Sequence, residues 1–117
     1  MIQIKRAYEE PRKTDGYRVL VDRVWPRGRT KEQLALKEWA RDLAPSNALR
    51  QSFGHDPARW ESFQKKYRQE LQTQHDVKVK LAELAKLARR ETVTLVYGAH
   101  DQEHNQAVVL KEVVERL

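Results

Sequence analysis

The segment "DRVWPRGRT", residues 22–30, places three arginines, one carboxylate and one indole within nine positions. Arg23, Arg27 and Arg29 could bind a phosphate or carboxylate, because a guanidinium presents paired N–H donors to two anionic oxygens. Asp22 precedes them and could orient an arginine or act as a general base. The segment therefore predicts an anion-binding pocket. The alternative is structural: Asp22 pairs with Arg23 inside the protein, and the other arginines lie in water.

A second segment with proton-transfer groups is "YGAHDQEHNQ", residues 97–106. Tyr97 and His100 could move a proton, and Asn105 could donate a hydrogen bond to an anion. If this segment faces the arginines, one cleft would hold both cations and proton donors. In the alternative, Asp101 caps the next helix, Tyr97 is a core residue, and the histidines are solvated.

Within that segment, "HDQEH", residues 100–104, matches the H-x-x-E-H spacing of some zinc enzymes. In a helix this spacing would place two imidazoles one turn apart, as zinc requires. However, the segment begins in a predicted loop, and a third ligand is offered only by His55, His75 or a carboxylate. The sequence therefore predicts no metal site, and it indicates no cofactor.

The positive charge of the chain is concentrated near its start. The formal net charge is +6, and residues 1–31 carry nine lysines and arginines against four acidic residues, a net +5. A concentrated positive field suits phosphates, carboxylates or nucleic acid, although basic residues also serve solubility alone. With 39% hydrophobic and 34% charged residues, the composition is typical of a soluble globular protein.

The cysteine content, the apolar runs and the length of the chain exclude several classes of protein. There is no cysteine, which removes disulfides, thiolate metal ligands and thiol nucleophiles. The first ten residues lack the apolar stretch of a secretory signal, and no apolar run approaches the roughly 20 residues of a membrane helix. We therefore expect a cytoplasmic protein without membrane contact. Its 117 residues predict a single domain over 1–117 and leave the oligomeric state open.

Three segments read as strands. Residues 2–8 alternate apolar and polar side chains, and residues 17–25 are an apolar run rich in β-branched types. The segment between them contains Pro11 and the turn pair Asp15-Gly16, which predict a loop. The third segment, "TVTLVY" at 92–97, is almost wholly apolar or β-branched, as expected of a central strand buried on both faces.

Five helices are predicted from start signals and apolar spacing. The first opens with a capping box between Thr30 and Gln33 and continues through Leu36, Trp39, Ala40 and Leu43. The second begins after Ser46 and stops at Gly54. The third starts at Asp56 and Pro57, and its apolar stripe is Trp60, Phe63, Tyr67 and Leu71. The last two have stripes made of Val77, Leu81, Leu84, Ala85 and Ala88, and of Ala107, Leu110, Val113, Val114 and Leu117.

These elements predict an α/β fold, a small domain with a mainly parallel sheet of few strands flanked by helices. In an open parallel sheet, ligands bind beyond the carboxyl ends of the strands, where helix N-termini also favour anions. Residues 22–30 and 97–106 both follow a predicted strand. We therefore expect them to meet at the same edge of the sheet.

Four stretches together resemble the YeaO-like family of bacterial domains of unknown function: "DGYRVLVDRVWPRG", "LKEWARDLAPSNALRQSFGHDP", "FQKKYRQEL" and "TLVYGAHDQEHNQAVVLKEVV". The resemblance spans residues 3–117 and implies a small α/β domain without an established activity. The motif positions that it carries are Asp15, Gly16, Arg18, Asp22, Arg23, Trp25, Pro26, Arg27, Gly28, Trp39, Pro45, Ser46, Leu49, Arg50, His55, Phe63, Tyr67, Tyr97 and Asn105. This chain departs from the pattern at His100, where lysine is usual, and at Gln106, where histidine is common. His104 is not a motif position, which further weakens the zinc hypothesis.

Two functions remain from the sequence. The first is recognition of a small anionic ligand, by an enzyme acting on it or by a protein that only binds it. The alternative is a nucleic-acid-binding module, suggested by an isoelectric point near 9.7 and by a helix pair around "LAPSNAL" that resembles a helix-turn-helix. Binding that neutralises many phosphates weakens steeply with salt, whereas a one-anion pocket responds mildly. A partner-binding protein without catalysis is a third hypothesis.

Overall fold

A computed structural model describes residues 1–117 and contains one four-stranded sheet. The strands are β1 (Ile2–Arg6), β2 (Tyr17–Leu20), β3 (Glu38–Trp39) and β4 (Val93–Tyr97). The helices are α1 (Lys31–Leu34), α2 (Asn47–Phe53), α3 (Trp60–Leu71), α4 (His75–Ala88) and α5 (Gln106–Glu115). All neighbouring strands are parallel, in the order β1-β4-β2-β3. The predicted α/β class with a mainly parallel sheet is confirmed.

Strand β4 lies between β1 and β2, so that Val93 is paired with both Ile2 and Tyr17. All five of its residues are buried. A strand with neighbours on both edges and helices or loops on both faces has no exposed side, which explains its continuous apolar sequence. The prediction of a buried central strand is confirmed.

The two faces of the sheet are covered unequally. Helices α2 to α5 pack on one face and form a core of 21 buried residues that includes Val19, Leu95 and Tyr97. The other face carries a smaller cluster in which Leu20 and Val96 contact Leu34 of α1. Because side chains alternate along a strand, successive residues of β2 and β4 belong to different clusters.

The prediction of one helix from residue 30 to 43 is wrong. The Thr30–Gln33 capping box is present, but α1 ends at Leu34, and Ala35 takes a left-handed φ of 47°. The chain then runs beside β2: the Lys37 N–H donates to the Arg18 carbonyl, and the Ala40 N–H donates to the Leu20 carbonyl. These bonds make β3 a two-residue edge strand. Tertiary pairing therefore overrides the helical spacing of the apolar residues in this stretch.

The first two strands are shorter than predicted, since β1 ends at Arg6 and β2 at Leu20. The Val21 N–H still donates to the Val96 carbonyl, but β4 ends at Tyr97 and β3 at Trp39, so later residues have no strand beside them. The chain leaves the sheet at Asp22.

The other helix signals are confirmed. The Ser46 side chain accepts from the N–H of Leu49 at the start of α2, and Gly54 ends that helix with a φ of 54°. The Asp56 side chain caps a short 3₁₀ turn that contains Pro57 and leads into α3. At α5 the cap is Asn105, and not Asp101 as the structural alternative for this segment had it. None of the helices is long and apolar enough to cross a membrane.

Candidate functional site

A pocket of about 620 Å³ opens at the carboxyl ends of the strands. Much of its lining comes from the chain beyond each strand: Tyr8 after β1, residues 22–26 after β2, Ala44 and Pro45 after β3, and residues 98–101 and 104–106 after β4. The start of the arginine-rich turn and the segment after β4 therefore line the same concavity. This edge is where open parallel sheets place their ligands.

Asp22 lies at the floor of this pocket, where β2 ends. The Gly98 N–H donates to its Oδ2 at 2.9 Å, and the side-chain amide of Gln106 donates to its Oδ1. A Cβ built on Gly98 would lie 2.8 Å from Oδ2, so a larger residue there would force the carboxylate to shift. The internal pair with Arg23 is absent, because that guanidinium donates to backbone carbonyls instead.

Burial raises the pKa of Asp22 to about 6. The hydrogen bonds from Gly98 and Gln106 and the positive charges of Arg50 and His55 favour the carboxylate, but they do not outweigh the loss of hydration. The group therefore changes charge close to physiological pH. Such a shift in a cleft is typical of functional carboxylates.

The pKa of Asp22 predicts a pH dependence of stability that an Asp22→Asn variant lacks. Between about pH 4 and 6 the folded protein retains the Asp22 proton that the unfolded chain has lost, so rising pH lowers the free energy of unfolding. We expect D22N to gain stability relative to the parent over this range. Urea unfolding of both proteins from pH 4 to 7 measures it, and parallel curves would contradict the assignment.

Arg23 faces the pocket with its charge uncompensated by a carboxylate. Its Nε donates to the Pro45 carbonyl at 3.3 Å, and its Nη2 donates to the Ala44 carbonyl at 3.1 Å. Two neutral carbonyls fix the guanidinium without neutralising it. The remaining N–H groups are available to an anion.

Arg50 and His55 also line the pocket, where the sequence did not place them. Arg50 extends from α2, and its hydrogen bond is to Asn47 Oδ1 at 3.2 Å. His55 follows Gly54 with a φ of 56°, and its ring centroid lies 6.2 Å from that of Phe53. Their placement depends on β3, which leads the chain back to this edge of the sheet.

Arg27 and Arg29 do not line the pocket and lie beside its rim. The Nε of Arg29 donates to the Ala7 carbonyl at 3.1 Å, and its guanidinium carbon lies 5.8 Å from the ring centroid of Tyr8. Arg27 is exposed, and its backbone carbonyl accepts from the Tyr8 hydroxyl at 2.9 Å. Since Tyr8 lines the pocket, both arginines border the opening and are not part of its wall.

Of the two predicted proton donors, only His100 reaches the pocket. Tyr97 is 2% exposed and belongs to the core under the helices, where burial raises its pKa. Tyr97 is not among the residues that line the pocket. His100 is exposed and lines the opening, with its Nδ1 3.4 Å from Arg6 Nη2.

Asn105 lines the pocket but its amide holds the start of α5. Its Oδ1 accepts from the Val108 N–H at 3.1 Å, and its Nδ2 donates to the Asp101 carbonyl at 2.9 Å. The Asp101 side chain in turn accepts from the N–H groups of Glu103 and His104, and these bonds hold its pKa below the usual value. Asn105 therefore positions the loop after β4, and its role as a direct anion ligand has less support than that of Arg23.

The zinc-like spacing at residues 100–104 does not form a zinc site. The segment precedes α5, so its two imidazoles do not lie on one helical turn. The Nδ1 of His104 lies 2.8 Å from Asp101 Oδ2, and its ring packs edge-on against Trp60 at 5.3 Å. No three histidine, aspartate or glutamate side chains are grouped to hold a metal ion.

Comparison with known proteins assigns the family. The sequence profile described as the inactive DUF488-N3 subclade matches residues 1–117. The chain is 40% identical to the uncharacterised protein YeaO of Escherichia coli K12, over 99% of this chain and 98% of that protein. It is 39% identical to an uncharacterised protein of Mycobacterium bovis and to one of Mycobacterium tuberculosis H37Rv, over 97% of this chain and 92% of each. No solved structure matches. The chain belongs to this family, which confirms the resemblance found in the sequence.

Proposed function

We propose that this member of the inactive DUF488-N3 subclade binds a small anionic ligand, with a phosphate or carboxylate group, in the pocket beyond the strands. One observation carries the proposal: Arg23 and Arg50 line the pocket, and neither guanidinium has a carboxylate partner. Guanidiniums without an acidic partner bind anionic oxygens in bidentate geometry. An incoming anion would supply the missing charge.

The surroundings strengthen this attraction. Phe53, Phe63 and Trp25 contribute apolar surface to the lining, and charges interact more strongly where apolar walls exclude water. Arg23 is held by the two carbonyls before binding, so little conformational entropy is lost when an anion arrives. Both features favour binding of one anion in a defined position.

The same pocket gives little support to catalysis. No serine, threonine, cysteine or lysine lines it, so a covalent nucleophile of these types is missing. Tyr97 lies in the core, which removes one of the two expected proton donors. The family description as inactive agrees with binding alone. The proposal is therefore ligand binding, and we assign no chemical step to the pocket.

Replacing Arg23 or Arg50 by glutamine tests the proposal. Each replacement removes hydrogen bonds between a charged donor and the anion, which contribute about 1.5–3 kcal/mol, or roughly 10- to 100-fold in affinity. We expect inorganic phosphate to bind the parent, as measured by calorimetry at low salt, and R23Q and R50Q each to weaken it by at least that lower factor. Arg90→Gln, at an exposed position outside the pocket, is the matched control. Equal affinities in all four proteins would refute the proposal.

Nucleic-acid binding is favoured by a different observation, the arginines beside the rim. Arg6, Arg27 and Arg29 surround Tyr8 and form no ion pair with an acid. The helix-turn-helix hypothesis is not supported, because a 3₁₀ turn at Arg41–Leu43 stands where its first helix should be. The test is the binding of a single-stranded 12-mer. An affinity that falls steeply with salt, and that is lower still for an R27Q/R29Q variant of the protein, would favour this second function.

A further inference from the structure

The floor of the pocket differs in chemistry from its cationic side. Each oxygen of Asp22 accepts one hydrogen bond, from Gly98 or from Gln106, and a carboxylate oxygen can accept a second. A ligand that only carried negative charge would be repelled by this carboxylate. A ligand that binds Arg23 and reaches the ionised Asp22 is therefore favoured if it presents a hydrogen-bond donor, N–H or O–H, at its other end.

The donor group is better neutral than cationic. The positive charge of Arg50 acts on Asp22, and it would oppose a ligand ammonium placed beside that carboxylate. A neutral amino group on an aromatic ring meets no such repulsion. It donates to the ionised carboxylate, which predominates at pH values above the Asp22 pKa of about 6.

The wall next to Asp22 is aromatic and rigid. The indole N–H of Trp25 donates to the Arg29 carbonyl at 2.6 Å, and the ring packs edge-on against Trp39 at 5.3 Å. The indole N–H of Trp39 donates to the Asp22 carbonyl at 2.7 Å, which ties the wall to the floor. Phe53 and Phe63 also line the pocket, and their stacked rings have centroids 4.5 Å apart. Aromatic surfaces of this kind can stack on a planar ring.

We propose that the ligand is a nucleotide, bound with its phosphate at Arg23 and Arg50 and with the amino group of its base donating to Asp22. This rests on the proposed function and adds the class of ligand. The volume of about 620 Å³ exceeds what an inorganic anion fills and lies in the range of pockets for ligands of nucleotide size. The nucleotide unit could be free or the end of a strand, and the experiment below separates the two sources.

Nucleotides that differ by one amino group provide the test. AMP is compared with purine riboside 5′-monophosphate, and GMP with inosine 5′-monophosphate, by calorimetry at pH 7.5. A hydrogen bond to a charged acceptor predicts about 10-fold or tighter binding for the amino-bearing member of at least one pair. That member is also expected to bind more tightly than inorganic phosphate. A 12-mer with a 5′-terminal phosphate and the same base separates the two sources. If it binds more tightly than the mononucleotide, the ligand is the end of a strand. If it does not, the ligand is a free nucleotide.

Asp22→Asn separates recognition from a merely structural role. Asparagine keeps the shape of the side chain and removes its charge, so we expect the amino-bearing nucleotide to lose about 10-fold in affinity while its matched analogue loses none. A structural defect would weaken the binding of the nucleotide and of its analogue alike, and that result would overturn the proposal. Equal binding of the two members within both nucleotide pairs would overturn it as well. If phosphate binds through Arg23 and Arg50 but no amino-bearing nucleotide binds more tightly, the anion pocket stands and the nucleotide assignment fails. If replacing Arg23 or Arg50 weakens the binding of no anion, the anion pocket and the nucleotide assignment both fail.

Discussion

Replacing Asp15 by alanine is expected to lower the free energy of unfolding by about 3–5 kcal/mol, the usual effect of removing one partner of a buried ion pair. Asp15 is 2% exposed and Arg18 is 3% exposed, and their atoms Oδ2 and Nη1 lie 2.7 Å apart. Lys5 Nζ contacts the same carboxylate at 3.1 Å. Without Asp15, a guanidinium and an ammonium would be left without a counter-ion, and Arg18 Nη2 already has no hydrogen-bond partner. Urea denaturation measures the loss.

Two further variants separate charge burial from general damage. Adding Arg18→Met to Asp15→Ala removes the stranded guanidinium, so we expect the double variant to be more stable than the single one. Glu112→Ala breaks the pair with Arg68, whose side chains are 44% and 31% exposed, and should cost no more than about 1 kcal/mol. A double variant less stable than Asp15→Ala would contradict this account of the cluster.

The second large effect is expected from Gly16→Ala, which should lower the free energy of unfolding by about 2–6 kcal/mol. Gly16 has a φ of 63° and a ψ of −124°, a conformation open to glycine. Its Cβ would lie 2.2 Å from the Thr92 carbonyl oxygen, which accepts from the Tyr17 N–H at 2.9 Å. The first contact between β2 and β4 must therefore shift. Thermal or urea unfolding checks the result.

Gly54→Ala is the matched control for this substitution. Gly54 has a similar φ of 54°, but the atom nearest to an added Cβ is 3.6 Å away. It therefore carries the backbone strain of a left-handed residue, about 1–2 kcal/mol, without a steric clash. If the two alanine variants lost equal stability, the clash with Thr92 would have no measurable role.

Much of the fold could be predicted because its signals are local. The cap at Ser46, the stop at Gly54 and the apolar stripe of α3 each depend on residues within a few turns of one another. Strand β4 is recognised by its continuous apolar run. Strand β3 was missed because nothing within its two residues specifies it: its backbone bonds are to Arg18 and Leu20, far away in sequence.

The errors about the site follow from the errors about the strands. The single helix that the apolar spacing predicts over residues 30–43 leaves no strand β3 to lead Arg50 and His55 to the carboxyl edge of the sheet. Since β2 ends at Leu20 and not at Trp25, the turn carries Arg27 and Arg29 past the pocket to its rim. Of the four predicted site residues in the turn, Asp22 and Arg23 are close enough to the strand end to line the pocket, and His100 and Asn105 line it from the segment after β4.

The burial of Tyr97 could have been deduced. In a strand, alternate residues share a face, so Tyr97 lies on the same side as Val93 and Leu95, in the larger core. Gly98, the next residue, is the first of the strand's continuation to reach the pocket. The pairing of Asp22 with Gln106 was not predictable, because it joins two loops 84 residues apart.

The central claim, that Arg23 and Arg50 bind an anion in one pocket, is tested most directly by a crystal structure of the protein soaked in phosphate or sulfate. We predict an anion with oxygens about 2.7–3.2 Å from nitrogens of both guanidiniums. An anion found only at sites more than about 10 Å from both arginines, beyond one screening length, would contradict the account.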